Sequence, residues 1–176
     1  MKYCSTVTYE SKVVHLPSFN ELNDLTASAT TVVPGQWIDF MGHMNVMWYT
    51  HLFGQAVLDF FQTIGLTHEY FRENNTGSFV LEQHIRYIAE IREGENISLR
   101  TRALGRSEKR LHFQVYLIKE EMKMLAASSE IVTVHIDMSI RRSSPLPMAS
   151  TQSFDRVQEL HSRLSWVAPC NGFSHP

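Results

Sequence analysis

The chain has 176 residues, of which 43% are hydrophobic and 19% are charged, and these proportions are typical of a globular protein with one sizeable core. Its formal net charge is −2, so it lacks the basic excess that neutralises phosphate backbones, and we expect no nucleic-acid partner. Residues 1–14 lack the apolar centre of a signal peptide, and no apolar run approaches the roughly 18 residues of a membrane span, so we expect a cytoplasmic protein with no membrane partner.

The amino-terminal part of the chain carries few structural signals. Residues 1–29 show no sustained hydrophobic period, and we interpret them as an extension. Cys4 and Cys170 lie near opposite ends, which is not a disulfide framework and matches no metal-binding CxxC spacing. Residues 30–33 are mostly β-branched and end at a Pro-Gly turn, which predicts a first strand.

Residues 37–49 form a polar, glycine-containing stretch that leads directly into a long apolar helix. Asn45 is a good N-cap residue, so we expect the helix to begin at Val46, and Gly65 supplies a stop signal at its end. The apolar positions between them follow helical spacing for about five turns. They are Tyr49, Leu52, Phe53, Ala56, Val57, Phe60, Phe61 and Ile64. So wide an apolar stripe needs a sheet or another helix to cover it, which makes this the central helix.

The remainder of the chain predicts a sheet. Residues 66–77 are a connection with at most one helical turn, and strands are predicted at residues 78–91, 97–104, 110–118 and 125–136. Because short polar turns separate these strands, we expect an antiparallel meander. One long helix and about five strands predict an α+β domain in which a curved antiparallel sheet wraps around the helix. Residues 139–176 should form a carboxy-terminal segment with a linker or edge strand and a short helix at 153–164.

The turn before the helix holds groups suited to acyl chemistry. Asp39 supplies a carboxylate that can act as nucleophile or general base, although Asp before a helix is often only a capping residue. Gly42 permits a backbone shape or a close approach that a Cβ would hinder. Free N–H groups at the helix start, beginning with Val46, can stabilise an oxyanion. His43 is either an acid or base or a structural hydrogen-bonding residue.

This pattern resembles the hotdog-fold acyl-CoA thioesterases of the 4-hydroxybenzoyl-CoA thioesterase type. Their motif, Asp-x-x-Gly-His-x-Asn-x-x-x-Tyr, falls here on Asp39, Gly42, His43, Asn45 and Tyr49. A second marker, a strand ending in Arg-Tyr before a Gly-acidic turn, falls on residues 85–87 and 94–95. The resemblance covers residues 30–138 and implies a hotdog domain there, with Asp39 as the catalytic carboxylate and the N–H near Val46 polarising the thioester carbonyl.

A closer resemblance is to the betainyl-CoA thioesterase branch, associated with carnitine breakdown. The stretches at residues 37–45, 81–87, 109–112 and 135–138 carry it. The chain departs from many relatives in having Trp37 where they have a second acidic residue, and Gly54 where they have a glutamate on the helix. The carboxylate chemistry therefore falls to Asp39, with Glu82 as a possible second acid.

Several residues have both a structural and a functional interpretation. Trp37, Trp48 and Tyr49 are core or interface aromatics, or they form a cation-binding wall if the acyl group carries a trimethylammonium. Glu82 is a solvated strand residue or a substrate contact. The cluster Arg106, Lys109 and Arg110 is a solvated hairpin or a phosphate contact to CoA. Asp39, His43 and His51 match no standard metal-ligand spacing, so we expect neither a metal there nor a cofactor.

The leading functional hypothesis is hydrolysis of a small acyl-CoA thioester to free acid and CoA, with betainyl-CoA as a candidate substrate. The alternatives are a hotdog module that binds acyl-CoA without catalysis, and a hotdog hydratase or dehydratase, whose motif order is absent here. Since a single sheet around one helix leaves an exposed edge strand, we also predict a homodimer joined edge to edge, or a tetramer built from it, with Asp39 close to the partner chain.

Overall fold

The computed structural model describes residues 15–170; Cys4 and the first half of the predicted extension lie outside them. A short helix α1 (Phe19–Leu22) precedes strand β1 (Ala27–Val32), and a 3-10 turn (Gly35–Trp37) leads to the central helix α2 (Val46–Thr63). Then come α3 (His68–Glu73), β2 (Thr76–Tyr87), β3 (Asn96–Arg106), β4 (Arg110–Lys119) and β5 (Met124–Asp137). The two-residue strand β6 (Arg142–Ser143) and helix α4 (Met148–Ser162) follow. Among the described helices, none has the length and apolar character that crossing a lipid bilayer requires.

The strands form one antiparallel sheet in the order β1-β3-β4-β5-β2, with β6 added to the end of β5. The predicted meander is correct for β3, β4 and β5. It is wrong for β2, which pairs with β5 at the far edge of the sheet because β1 already occupies the outer side of β3. Residues 88–95, which connect β2 to β3, are too long for a tight hairpin and instead pass the start of α2, where the Met44 N–H donates to the Ile91 carbonyl at 2.7 Å.

The central helix lies against the inner face of the curved sheet, as predicted. Its buried stripe includes Phe53 and Phe60, which pack with Phe113 and Ile131 from the middle strands. Full burial of a side chain such as Phe53 stabilises the fold by about 1.5–3 kcal/mol. The helix ends where predicted, because Gly65 adopts a φ of +82°, the left-handed conformation that follows many helix ends.

Helix α4 covers the part of β3 that β1 leaves unpaired. It begins at Met148, directly after Pro147, rather than at residue 153 as predicted. The prediction missed residues 148–152 because Met148 is the only large apolar residue among them, so they show no helical apolar spacing. The Gln158 side chain donates to the Leu104 carbonyl at 2.9 Å, and the His161 Nδ1 accepts from the Ala103 N–H at 2.9 Å. Helix α4 therefore satisfies backbone groups of an edge that would otherwise be open to pairing.

The outer face of the sheet is also covered. Leu22 and Leu25 from the amino-terminal segment and Trp166 from the segment after α4 pack on Tyr116 and Ile118 of β4. Consequently every residue of β4 from Leu111 to Lys119 is buried, whichever face of the sheet its side chain is on. Residues 15–25, part of the predicted extension, thus pack onto the domain.

Candidate active site

The motif turn has a defined backbone geometry. Ile38 and Met44 form an isolated antiparallel bridge, and between them the Asp39 N–H donates to the His43 carbonyl at 3.1 Å. The Gly42 N–H donates to the Asp39 carbonyl at 3.0 Å, and Gly42 has a φ of +82°. A side chain at Gly42 would meet no neighbour, so the glycine is required by the backbone conformation rather than by space.

The Asp39 carboxylate is held by two donors. The Met41 N–H donates to Oδ1 at 2.8 Å, and the Asn45 side-chain amide donates to Oδ2 at 3.3 Å. The Asp39 side chain is 18% exposed, whereas the His43 Nδ1 stands 4.0 Å from Oδ1 and lies 3.4 Å from the Met44 carbonyl. Asp39 is therefore oriented and accessible, and His43 is a neighbour of the carboxylate rather than its hydrogen-bond partner.

Asn45 connects this carboxylate to the start of α2. Its Oδ1 accepts from the Met47 N–H at 3.0 Å, and its backbone N–H donates to the Trp37 carbonyl at 2.9 Å. The hydrogen bonds of the described residues leave the Val46 N–H unused, at the positive end of an 18-residue helix. The predicted N-cap and helix start are confirmed, and the arrangement offers an oxyanion a donor beside a fixed carboxylate.

A cavity of about 310 Å³ opens beside the helix start. It is lined by His43, Met44, Val46, Tyr49, Tyr87, Ile88, Ala89 and Glu90. The rings of Tyr49 and Tyr87 meet edge to face, with centroids 5.1 Å apart, and burial raises the pKa of Tyr49 to about 12. Tyr49 is therefore a neutral phenol at physiological pH.

Five of the eight lining residues were not predicted as site residues: Met44, Tyr87, Ile88, Ala89 and Glu90. Tyr87 and Glu90 are the two with polar side chains. Tyr87 belongs to the second family marker, which could have suggested it. Glu90 lies in the β2–β3 connection, and only its position just after that marker could have indicated a role.

The two predicted tryptophans lie elsewhere. The rings of Trp37 and Trp48 stack on each other at 4.8 Å with an interplanar angle of 18°, and Trp48 meets His51 edge to face at 5.6 Å. Neither tryptophan lines the cavity of Tyr49 and Tyr87, so the structure separates Trp37 and Trp48 from Tyr49, the third residue of the predicted aromatic wall.

Glu82 points away from the candidate site. It pairs with Val132, the neighbour of the inward-facing Ile131, and so it lies on the outer face of the sheet, opposite α2. The predicted contact between Glu82 and substrate in the same chain therefore does not fit the geometry, because successive strand residues point to opposite faces.

The predicted CoA-binding cluster is also divided. Arg106 makes two 2.6 Å hydrogen bonds to Asp155 of α4, and this pairing raises the pKa of Arg106. Lys109 and Arg110 instead line a cavity of about 470 Å³ with Ser107 and Ser143. Phosphate binding by Arg106 would require breaking its pair with Asp155, whereas Lys109 and Arg110 remain candidates.

Comparisons with known proteins agree with this geometry. Residues 33–159 match the family model of the Thioesterase-like superfamily. A betainyl-CoA thioesterase of Pseudomonas aeruginosa is 29% identical over 140 residues, which cover 80% of this chain and 87% of that protein. A combined L-carnitine dehydrogenase/betainyl-CoA thioesterase of Agrobacterium fabrum is 30% identical over 125 residues, 71% of this chain, and the matched part spans only 25% of that longer protein.

Solved structures match the fold. A Staphylococcus aureus protein in complex with CoA superposes with a TM-score of 0.77 at 23% identity, covering 86% of this chain and 97% of that one. A 1,4-dihydroxy-2-naphthoyl-CoA thioesterase from Synechocystis superposes with a TM-score of 0.65 at 15% identity, covering 72% and 93% respectively. The predicted hotdog fold is confirmed, and this chain belongs to the thioesterase-like superfamily.

Proposed function

We propose that the protein hydrolyses an acyl-CoA thioester to the free acid and CoA. The observation that carries this proposal is the pairing of a fixed, accessible Asp39 carboxylate with the unused N–H of Val46, both held through Asn45 at one end of α2. Membership of the thioesterase-like superfamily supports the same reaction.

The chemistry follows from that arrangement. The thioester oxygen accepts a hydrogen bond from the Val46 N–H, which stabilises the negative charge as the carbonyl carbon becomes tetrahedral. Asp39 either attacks that carbon and forms a mixed anhydride, or removes a proton from the water that attacks it. In both routes the C–S bond breaks and the sulfur takes up a proton. The water oxygen enters the released acid when water attacks the acyl carbon; when water attacks the aspartyl carbonyl of the anhydride, it enters Asp39 and the acid leaves with an Asp39 oxygen.

The test is an Asp39→Asn variant assayed by thiol release from a panel of acyl-CoAs. We expect kcat to fall by about 100-fold or more, since this removes the nucleophile or base while leaving a side chain of the same size. Asp24→Asn, in an exposed turn, is the matched control and should leave turnover unchanged. A nearly wild-type kcat for Asp39→Asn would exclude Asp39 from the mechanism, and no thiol release from wild type with any acyl-CoA would favour the non-catalytic binding module.

A single turnover in heavy-oxygen water tests the nucleophilic route. If Asp39 is the nucleophile and water attacks its carbonyl, mass spectrometry finds the label in the Asp39 peptide. Label only in the released acid shows that water attacked the acyl carbon, either directly with Asp39 as the base or at the anhydride.

The acyl group that we propose is betainyl. Tyr49, Tyr87 and Glu90 are among the residues that line a cavity of about 310 Å³, which suits a compact trimethylammonium better than a long aliphatic chain. The relatives in Pseudomonas aeruginosa and Agrobacterium fabrum carry betainyl-CoA thioesterase in their names, which supports the same substrate.

We further infer that the active form is a homodimer joined along β2. Within the described residues β2 ends the sheet, so its outer edge has no strand partner, and Phe79, Val80 and Leu81 on it are 39–53% exposed. Phe40, in the motif turn, is 96% exposed. Sedimentation at micromolar concentration should show a dimer, and a fully active monomer would contradict the inference.

A further inference from the structure

A second cluster of chemically active side chains lies on the outer face of the sheet, away from α2. His112 of β4 and Glu130 of β5 are 7% and 4% exposed, and the His112 Nε2 stands 3.0 Å from the Glu130 Oε1. Cys170 completes the cluster, and the three ligand atoms all lie within 4.8 Å of one another. His112 alternates with the inward-facing Phe113, which places the cluster on the opposite side of the sheet from the proposed catalytic turn.

One nitrogen, one oxygen and one sulfur donor form a set that Zn²⁺ accepts and that Mg²⁺ or Ca²⁺ does not favour. Zn–N and Zn–O bonds of about 2.0–2.2 Å and a Zn–S bond of about 2.3 Å put tetrahedral ligand atoms about 3.3–3.8 Å apart. The His112–Glu130 pair is already closer than that, and no separation in the cluster has to contract by more than about 1 Å. Cys170 follows α4 outside any helix or strand, so this adjustment does not break a regular element.

Two arginines of the sheet hold the segment that carries Cys170 in place beside the cluster. Arg102 of β3 donates to the Trp166 carbonyl at 2.9 Å and stacks on the Trp166 ring at 4.1 Å. Arg86 of β2 donates to the Pro169 carbonyl at 2.9 Å, directly before Cys170. These two arginines hold the backbone so that the thiol reaches His112 and Glu130.

We propose that His112, Glu130 and Cys170 bind one zinc ion. The Glu130 carboxylate and the Cys170 thiolate balance the two charges of the metal, His112 binds as the neutral imidazole through an unprotonated ring nitrogen, and the thiol proton is released to solvent. Because Arg86 and Arg102 add positive charge nearby, both anionic ligands are needed.

The fourth coordination position faces a cavity of about 580 Å³, which His112 and Cys170 line together with His161. His161 is not a fourth ligand, since its Nδ1 already accepts from the Ala103 N–H and the neutral ring then carries its proton on Nε2. The zinc ion would then have three protein ligands and a water in the fourth position, an arrangement that leaves the metal open to a small ligand.

The experiment titrates the full-length, reduced, chelator-treated protein with Zn²⁺, and with Co²⁺ as a spectroscopic probe of thiolate ligation. We expect one equivalent of metal per chain and a thiolate-to-cobalt charge-transfer band. Cys170→Ser and Glu130→Gln should lower the zinc affinity by about 100-fold or more, since removing even an outer-shell partner costs about 10–100-fold. Cys4→Ser, the matched control at the other cysteine, should bind as wild type does.

A second readout covers the case in which Glu130→Gln fails to fold. In the Cys4→Ser background, bound zinc should slow the reaction of Cys170 with a thiol reagent, and chelation should restore the faster rate. Absence of binding by wild type, an unchanged affinity for Cys170→Ser, or a thiol rate indifferent to zinc would each overturn the site. Acyl-CoA hydrolysis at Asp39 is expected to be insensitive to chelation, so failure of either proposal leaves the other intact.

Discussion

The proposed preference for a betainyl group rests on the two tyrosines that line the cavity beside Val46, and Tyr87→Leu tests it. The Tyr87 side chain is 53% exposed and meets Tyr49 edge to face, so leucine keeps the wall apolar but removes its π face. A cation–π contact at such an exposed position is worth about 0.5–1 kcal/mol. Removing it should lower the preference for a cationic acyl group by about two- to fivefold.

The assay compares kcat/KM for betainyl-CoA with that for tert-butylacetyl-CoA, its neutral isostere. For wild type we expect a ratio of at least about ten, equivalent to about 1.4 kcal/mol of differential transition-state binding. Tyr87→Leu should reduce that ratio without slowing hydrolysis of the neutral substrate, and Tyr87→Phe should preserve it. Glu90→Gln should also reduce the ratio, because it removes a negative charge at the cavity wall.

Two control variants distinguish this site from the other candidates. Trp48→Leu removes one ring of the stacked tryptophan pair, and Glu82→Gln neutralises the acid on the outer face; both should leave the ratio unchanged. Equal rates on the two substrates in wild type, or a clear preference for medium-chain acyl-CoA, would refute the assignment of betainyl. A ratio lost in Trp48→Leu and kept in Tyr87→Leu would move the cation site to the tryptophans.

Three further predictions concern stability. Gly54→Ala should raise the free energy of unfolding by about 0.5–1 kcal/mol in urea denaturation, because this glycine lies in the middle of α2 and a Cβ there meets no neighbour. Phe154→Ala should lower it by about 3–5 kcal/mol in the same measurement, because Phe154 is fully buried against Phe60 and joins α4 to the main core. Burial lowers the pKa of His161 from 6.5 to about 4, so between these pH values the unfolded chain binds more protons than the folded protein. The free energy of unfolding should therefore fall as the pH drops from 6.5 to about 4. Melting curves recorded over this pH range should show a weaker pH dependence for His161→Gln than for wild type.

The central helix could be predicted from the sequence because its signals are local. Its N-cap at Asn45, its apolar spacing and its stop at Gly65 all act within a few residues, and the structure begins and ends α2 accordingly. The strand positions were predictable for the same reason, since short polar turns separate β3, β4 and β5.

The place of β2 could not be predicted in that way. Strand β2 pairs with β5 because β1 occupies the free edge of β3, where a meander would have put β2. Because the whole of α2 separates β1 from β2 in the sequence, no local pattern indicates which of them pairs with β3. The consequence reaches the candidate active site, because the connection that leaves β2 passes the helix start and brings Glu90 to the cavity. A residue that enters a site through long-range pairing carries no local signal.

Polar residues within β4 illustrate a second limit. His112 and Gln114 alternate with apolar residues, a pattern that normally indicates a strand with one solvated face. Both are nevertheless buried, because the segment after α4 covers the outer face of the sheet. The cluster of His112 with Glu130 and Cys170 therefore became visible only with the tertiary structure.

The geometry of β2 favours Glu90 over Glu82 as the acid proposed for substrate recognition. Glu82 faces outward in its own chain, and a dimer formed by pairing two antiparallel β2 strands does not change that. The two-fold axis of such a pair stands perpendicular to the sheet, so it reverses the strand direction but keeps each residue on its own face. The partner's β2 would therefore present its own Glu82 to the same outer side, away from Tyr49 and Tyr87. Glu90 already lines the tyrosine cavity in its own chain, and the negative charge that a trimethylammonium group requires is thus expected from Glu90.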